Sequence, residues 1–83
     1  MKITVKLFAG LRQYLPKDAE REGLVLEVAE LVTPNQVLER LHVPAENVHL
    51  VLVNGVFVVP EQRTRLKLND RDVLSVWPAV AGG

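Results

Sequence analysis

The strongest structural signal in this chain is the run Leu50-Val51-Leu52-Val53-Asn54-Gly55-Val56-Phe57-Val58-Val59. Two apolar arms flank Asn54-Gly55, a pair of residues that tolerates the positive φ angles of a two-residue type I′ turn. The run therefore predicts an antiparallel hairpin with strands at His49–Val53 and Val56–Val59. Pro60 has no backbone N–H, so it limits the second arm to a short strand at the edge of a sheet.

A second hairpin is predicted at the start of the chain. Residues Lys2–Phe8 alternate polar and apolar side chains, which is typical of a strand with one buried face. A charged run at Lys17–Glu22 reads as a solvated loop. After Gly23, alternation resumes over residues 24–29, and we expect this segment to pair antiparallel with the first strand.

One helix and one further strand complete the pattern. Thr33 can cap a helix whose first position is Pro34, and Gln36 closes a capping box, so a helix is predicted over Pro34–Leu41. A turn at Asn69-Asp70-Arg71-Asp72 precedes a last strand at Val73–Trp77.

The order hairpin, helix, hairpin, strand predicts an α+β roll, with a mixed sheet of four or five strands packed on one main helix. Eighty-three residues suffice for one small domain and exclude a two-domain enzyme. We assign residues 1–77 to this domain. Residues 78–83 show no pairing pattern, and we expect them to form a flexible C-terminal tail.

The composition narrows the classes of function. Ten basic and ten acidic residues give zero net charge, which argues against nucleic-acid and membrane partners. The chain has no cysteine, so disulfides, thiolate-bound metals and a thiol nucleophile are excluded. The N-terminal alternation is unlike a secretory signal, and we expect a cytoplasmic protein.

Few side chains form a pattern that suggests chemistry. His42 and His49 lack a third ligand at metal spacing, so no metal site is expected. Asp70 and Asp72 fit a polar turn better than a catalytic pair. The basic residues at positions 63, 65 and 67 form either a solvated face or a docking patch for an acidic partner.

The C-terminus is the exception. Gly82 and Gly83 carry no Cβ, so the terminal carboxylate could pass through a channel too narrow for other residues. An enzyme that activates a carboxylate with ATP needs such a slender strand. The alternative is a frayed tail that ends in glycines by chance.

Four segments, taken in order, resemble one known family, the ubiquitin-like β-grasp sulfur carriers. This family includes the small subunit of molybdopterin synthase and the thiamine sulfur carrier (the MoaD and ThiS types). The segments are Val5-Lys6-Leu7-Phe8-Ala9-Gly10-Leu11-Arg12-Gln13-Tyr14-Leu15-Pro16, Leu52-Val53-Asn54-Gly55, Leu68-Asn69-Asp70-Arg71-Asp72 and Pro78-Ala79-Val80-Ala81-Gly82-Gly83. Arg71 departs from the glycine usual in the family, which predicts that Asn69 or Asp70 adopts the positive φ instead.

The resemblance implies a co-substrate, not an enzyme. A ubiquitin-activating-type enzyme, which itself binds the ATP, would convert Gly83 to an acyl-adenylate and then to a thiocarboxylate. The large subunit of molybdopterin synthase would then position the tail against a pterin precursor, which receives the sulfur in molybdenum or tungsten cofactor biosynthesis. No cofactor is expected to be bound by the chain itself.

The two partners need a docking surface. Strand parity predicts that Leu74 and Val76 face the helix, which leaves Leu50, Leu52 and Trp77 together on the opposite face. With Pro78, Val80 and Ala81 of the tail, they are the expected partner-binding residues. A shift of one residue in the register would exchange the two faces.

Three other functions stay open at this point. The chain could be a thiamine-type sulfur carrier or a protein modifier that is conjugated through Gly83. It could also be a β-grasp interaction module without chemistry at the tail.

Overall fold

The computed structural model describes residues 1–19 and 23–79 of the chain. In these residues there are five strands and one α-helix: β1 Lys2–Leu7, β2 Leu24–Glu27, α1 Pro34–Arg40, β3 Leu50–Val53, β4 Val56–Phe57 and β5 Val73–Trp77. Short 3₁₀ helices lie at Ala9–Tyr14, Ala45–Asn47 and Pro60–Gln62. The predicted α+β class with one main helix is confirmed, and the sheet has five strands.

The sheet has the strand order β2-β1-β5-β3-β4. β1 and β5 lie parallel at its centre, with Val5 opposite Leu74 and Leu7 opposite Val76. The two hairpins pair antiparallel on either side, as the sequence predicts. β5 also pairs antiparallel with β3, so the last strand is inserted between the two hairpins.

One face of the sheet packs against α1 and forms the core. Val5, Leu74 and Val76 are completely buried on this face. Val37 and Leu38 of α1 are buried in the same cluster. Burying an aliphatic side chain of this size stabilises the fold by about 1.5–3 kcal/mol. On the opposite side of the sheet, the outer face, side chains are half-buried, as at Thr4 and Lys6, or exposed, as at Val25.

The start of α1 has the predicted capping box. The Thr33 hydroxyl accepts a hydrogen bond from Gln36 N at 3.3 Å, and the Gln36 side chain accepts one from Thr33 N at 3.0 Å. Pro34 occupies the first turn. These bonds satisfy donors that a helix N-terminus would otherwise leave unpaired, so the local sequence is sufficient to place the start of the helix.

Strand and helix ends differ slightly from prediction. β4 ends at Phe57 instead of Val59, because Pro60 starts a 3₁₀ turn and Val59 is its N-terminal cap. Val58 N still donates to Val51 O at 2.9 Å, so the hairpin pairing extends one residue further. β1, α1 and β3 are each one residue shorter than predicted.

The turn before β5 corrects the expectation for Arg71. Arg71 itself has φ 71°, and neither Asn69 nor Asp70 has a positive φ. Arg71 N donates to Lys2 O at 2.6 Å, and Asp70 Oδ1 accepts from Lys2 N at 2.8 Å. The strand β1 therefore holds the turn in a conformation that its sequence does not favour.

A side-chain link joins the β3–β4 turn to the start of β5. Asn54 Nδ2 donates to Asp72 Oδ1 at 2.8 Å, and Asn54 Oδ1 accepts from Val73 N at 2.8 Å. Asp72 Oδ2 accepts from Asn69 N at 2.7 Å, and the Asp72 residue is only 8% exposed. We call these bonds the Asn54–Asp72 clasp. The clasp gives both residues a structural role and supports the turn interpretation of Asp72.

Candidate functional site

The point where the tail leaves the sheet is fixed on both sides of β5. Phe8 N donates to Val76 O at 3.1 Å from one side, and His49 N donates to Trp77 O at 3.0 Å from the other. The next residue, Pro78, has no N–H with which to continue a strand. Hydrogen bonding to the sheet therefore holds the chain up to Trp77, and the tail begins at Pro78.

An aromatic pair lies at this exit point. The rings of Phe8 and Trp77 are stacked, with centroids 4.3 Å apart and planes at 3° to each other. Both side chains are half-buried. The sequence reasoning missed Phe8 as a site residue, although its position in the β1 alternation, on the side of Thr4 and Lys6, already indicated the outer face.

The two leucines predicted to face outward lie beside this pair. Leu50 is the β-ladder partner of Trp77, and Leu52 is the partner of Ser75. Directly paired residues project from the same face of a sheet, so both leucines share the outer face with Trp77. The structure has the predicted register, because Val51, Leu74 and Val76 on the other face have no exposed surface.

The apolar surface extends further than predicted, onto β4. Phe57 pairs with Leu52, which places it on the outer face, and its side chain is 53% exposed. We call Phe8, Leu50, Leu52, Phe57 and Trp77 the docking patch. Phe57 is exposed and the other four side chains are half-buried, and partly exposed apolar side chains that form one contiguous surface are typical of a protein-binding site.

An open groove of about 550 Å³ lies at the foot of the tail. Its walls come from the loop after β1, the start of β3 and the end of β5; they are Ala9, Gly10, His49, Leu50, Trp77, Pro78 and Ala79. Ala9 carries only a methyl group and Gly10 has no side chain, so no large side chain stands on this wall. The groove is largely apolar and borders the docking patch at Leu50 and Trp77.

The remaining predicted tail residues are Val80, Ala81, Gly82 and Gly83, and they lie outside the described residues. Of the tail, the structure describes Pro78, which is half-buried, and Ala79, which is exposed. The roles expected of Gly82 and Gly83 stay predictions.

Arg63 is not part of a basic patch. Its guanidinium donates to the carbonyls of His49 at 2.8 Å and Val48 at 3.4 Å, while Arg63 O accepts from Asn35 N. Burial lowers the pKa of Arg63, and nearby Glu61 acts in the opposite direction. Arg63 thus joins α1 to the segment before β3, whereas Arg65 and Lys67 are exposed.

Neither a metal-binding cluster nor a membrane-spanning helix is present in the residues that the structure describes. In residues 1–19 and 23–79, no group of three or more His, Cys, Asp or Glu side chains could hold a metal ion. None of the helices in this part of the chain is both long and apolar enough to cross a bilayer.

Comparison with known proteins decides the family. The model of the ThiS family matches residues 5–83. The chain belongs to this family. ThiS-type proteins are small ubiquitin-like sulfur carriers, as is the related MoaD type, and the resemblance seen in the sequence is thereby confirmed. A search of curated proteins found no significant match.

Solved structures of similar fold come from archaea and bacteria. The solution structure of the HVO 2177 protein of Haloferax volcanii has a TM-score of 0.77 at 26% identity, over 100% of this chain and 87% of that one. A candidate molybdopterin converting factor subunit 1 of Pyrococcus furiosus has a TM-score of 0.65 at 25% identity, over 95% of this chain and 98% of that one. A chain in the complex of molybdopterin-converting factor subunits 1 and 2 of Helicobacter pylori has a TM-score of 0.59 at 20% identity, over 100% of this chain and 100% of that one. This similarity supports the fold.

Proposed function

We propose that this ThiS-family protein is a sulfur carrier acting through Gly83, and that it serves as the small subunit of a molybdopterin synthase. The carboxylate of Gly83 would attack the α-phosphorus of ATP on a partner enzyme and release pyrophosphate. Sulfur from a persulfide donor would then displace AMP, and a thiol would reduce the remaining sulfur–sulfur bond. The product is a C-terminal thiocarboxylate. We propose a cytoplasmic setting for these reactions, as expected from the sequence.

The way in which the chain leaves the sheet carries this proposal. Hydrogen bonds hold the main chain through Trp77, and the sequence then continues as Pro-Ala-Val-Ala-Gly-Gly. Six residues drawn out by a partner as an extended strand span about 20 Å. That length would carry the carboxylate of Gly83 well beyond the surface of the carrier and into an active site on another protein.

The docking patch supports a partner that binds next to the tail. Trp77 is at once the last residue of β5 and a member of the patch, so a protein that binds the patch would receive the tail at a fixed position. Such positioning lowers the entropic barrier of the later reactions, which the carrier does not catalyse itself. Aromatic anchors such as Trp77 and Phe57 commonly contribute most of the energy of an interface.

The molybdopterin branch is favoured by the names of two similar proteins. The Pyrococcus furiosus protein is described as a candidate subunit 1 of molybdopterin converting factor. The Helicobacter pylori protein of that name was solved in complex with subunit 2. By analogy, we propose a large synthase subunit as the second partner, with the adenylating enzyme as the first.

The test is the mass of the intact carrier after activation. The full chain is coexpressed with a ubiquitin-activating-type enzyme from the same genome and a persulfide-forming sulfur source. We expect a mass increase equal to the replacement of one oxygen by sulfur, located at Gly83. A matched chain with one alanine added after Gly83 should show no increase.

The absence of this mass change with an enzyme that releases pyrophosphate from ATP only in the presence of the carrier would contradict the proposal. An assay with purified thiocarboxylated carrier also distinguishes the molybdopterin role from the thiamine role. The molybdopterin role predicts sulfur transfer in the presence of the large synthase subunit. Transfer only with a thiazole synthase would instead support the thiamine carrier. Covalent conjugates that depend on Gly83 would support a protein modifier.

A further inference from the structure

The turn between β3 and β4 contains a reactive pair of residues. The chain has four asparagines, at positions 35, 47, 54 and 69, and Asn54 is the one followed by glycine. In an Asn-Gly pair the backbone nitrogen of glycine can attack the side-chain amide carbon, because glycine places no side chain next to that nitrogen. A C–N bond forms, the bond to Nδ2 breaks, and ammonia departs. The product is a cyclic succinimide. Water then opens the ring to aspartate or isoaspartate.

The surroundings of Gly55 leave this reaction sterically open. Asn54 and Gly55 are both exposed. A Cβ added to Gly55 would meet no atom within 4 Å, so no neighbouring group crowds the turn. The other three asparagines precede Gln36, Val48 and Asp70, whose side chains hinder the attacking nitrogen.

The Asn54–Asp72 clasp opposes the reaction in the folded protein. Asn54 Nδ2 is held by Asp72 Oδ1 and Asn54 Oδ1 by Val73 N, both at 2.8 Å. Attack requires the side-chain amide carbon to reach the Gly55 nitrogen, and the two hydrogen bonds restrain the amide from rotating freely toward it. From this geometry we infer that Asn54 is the deamidation site of the protein and that the clasp sets the rate of deamidation.

Deamidation would also prevent the clasp from forming again. Aspartate at position 54 has no side-chain N–H to donate and would present a second carboxylate to Asp72. Two carboxylates at hydrogen-bonding distance cannot both be ionised without strong repulsion. Isoaspartate adds an atom to the main chain of a two-residue turn and disturbs the register between Val53 and Val56. The modification therefore acts as an irreversible switch that loosens the β3–β4 turn from the start of β5, while the β3–β5 ladder remains.

To test this, the purified full-length chain is incubated in mildly alkaline buffer, and deamidation is followed over time by peptide mapping. The mapping detects a gain of one mass unit and the isoaspartate content at each asparagine. Three samples are compared: the native protein, the protein unfolded in urea, and the folded Asp72→Ala variant. We expect Asn54 to react first in all three, and at least about tenfold more slowly in the native protein than in the other two. Adding Gly55→Ala to Asp72→Ala should slow the reaction again.

Two results would overturn the inference. One is a faster reaction at Asn35, Asn47 or Asn69 than at Asn54. The other is an equal rate in the native protein and in the folded Asp72→Ala variant. If circular dichroism shows that the Asp72→Ala variant is unfolded, the test is the comparison of native with urea-unfolded wild-type protein. Equal rates of Asn54 deamidation in these two samples also overturn the inference.

Discussion

The ring of Phe8 stacks on the indole of Trp77 at a centroid distance of 4.3 Å, directly where the tail leaves the sheet. Phe8 directly follows β1 and Trp77 is the last residue of β5, so the ends of two parallel strands bring together residues 69 positions apart in sequence. Stacked aromatic pairs contribute about 0.5–1.5 kcal/mol beyond the area they bury. The stack thus supports the fold and also fixes the orientation of Trp77, which we propose as a docking residue.

Replacing Trp77 tests this double role. Trp77→Ala removes the stack and the anchor, and we expect the apparent KM for the carrier in adenylation to rise about tenfold or more. Trp77→Phe keeps a ring over Phe8 and should recover most of the loss. The measurement is carrier-dependent pyrophosphate release by the adenylating enzyme. An unchanged KM in a folded Trp77→Ala chain would remove Trp77 from the docking patch.

Introducing a charged residue into the docking patch gives a second test of its role in partner binding. Leu52→Lys places an ammonium group between Ser75 and Phe57, and desolvating it under a partner is unfavourable. Val25→Lys is the matched control, because Val25 is 60% exposed on the same outer face but on the far hairpin. We expect partner binding, measured by calorimetry, to weaken at least about tenfold for Leu52→Lys. Equal weakening by both variants would mean that charge anywhere on the face, and not the patch, matters.

The Asn54–Asp72 clasp should contribute measurably to the free energy of unfolding. Asp72→Ala leaves the Asn54 amide and Asn69 N without their acceptor, and we expect the free energy of unfolding to fall by about 1–3 kcal/mol. Asn54→Gly preserves the positive φ of the turn while removing the side-chain bonds, so it isolates the clasp from the turn. Urea unfolding of both single variants and the double variant gives the coupling. Strict additivity would argue against a direct interaction.

Two glycines give opposite predictions for the same substitution. Gly23 has φ +121°, and an added Cβ would lie 2.8 Å from Thr4 Cγ2 and 3.0 Å from Val5 O. Gly23→Ala should therefore destabilise the protein by about 1–3 kcal/mol. Gly10→Ala meets nothing within 4 Å and should leave the thermal midpoint nearly unchanged. A similar loss in both variants would contradict this reading of the β1–β2 contact.

Arg71 offers a stabilising change. A non-glycine residue at φ 71° is strained by about 1–2 kcal/mol, whereas glycine adopts this angle freely. Part of that gain is offset by the greater chain entropy of glycine when unfolded. We expect Arg71→Gly to raise the free energy of unfolding by up to about 1 kcal/mol in thermal or urea unfolding. A destabilised variant would show that contacts of the Arg71 side chain outweigh the strain.

Local patterns were sufficient to predict most of the fold. The Asn54-Gly55 turn and the capping box of α1 depend on residues a few positions apart, and both appear as predicted. Strand parity also gave the correct faces for Leu50, Leu52 and Trp77, because alternation in a strand is set by the backbone.

Features that depend on distant residues were missed. The stack between Phe8 and Trp77 follows from the parallel pairing of β1 with β5, which no local pattern encodes. The positive φ of Arg71 is held by Lys2 from the other end of the chain, and Arg63 reaches carbonyls fourteen and fifteen positions away. Residues with ordinary sequence preferences can adopt unusual conformations when tertiary contacts fix them.

The central position of β5 has a consequence for the timing of activation in the cell. β5 is the final strand of the domain, yet it fills the gap between two hairpins that are made earlier during synthesis. Until β5 has left the ribosome and paired with both hairpins, the sheet cannot close, and Trp77 cannot meet Phe8. An adenylating enzyme that binds the docking patch would therefore recognise only molecules in which β5 is already inserted, so that folding of the sheet precedes the loading of sulfur.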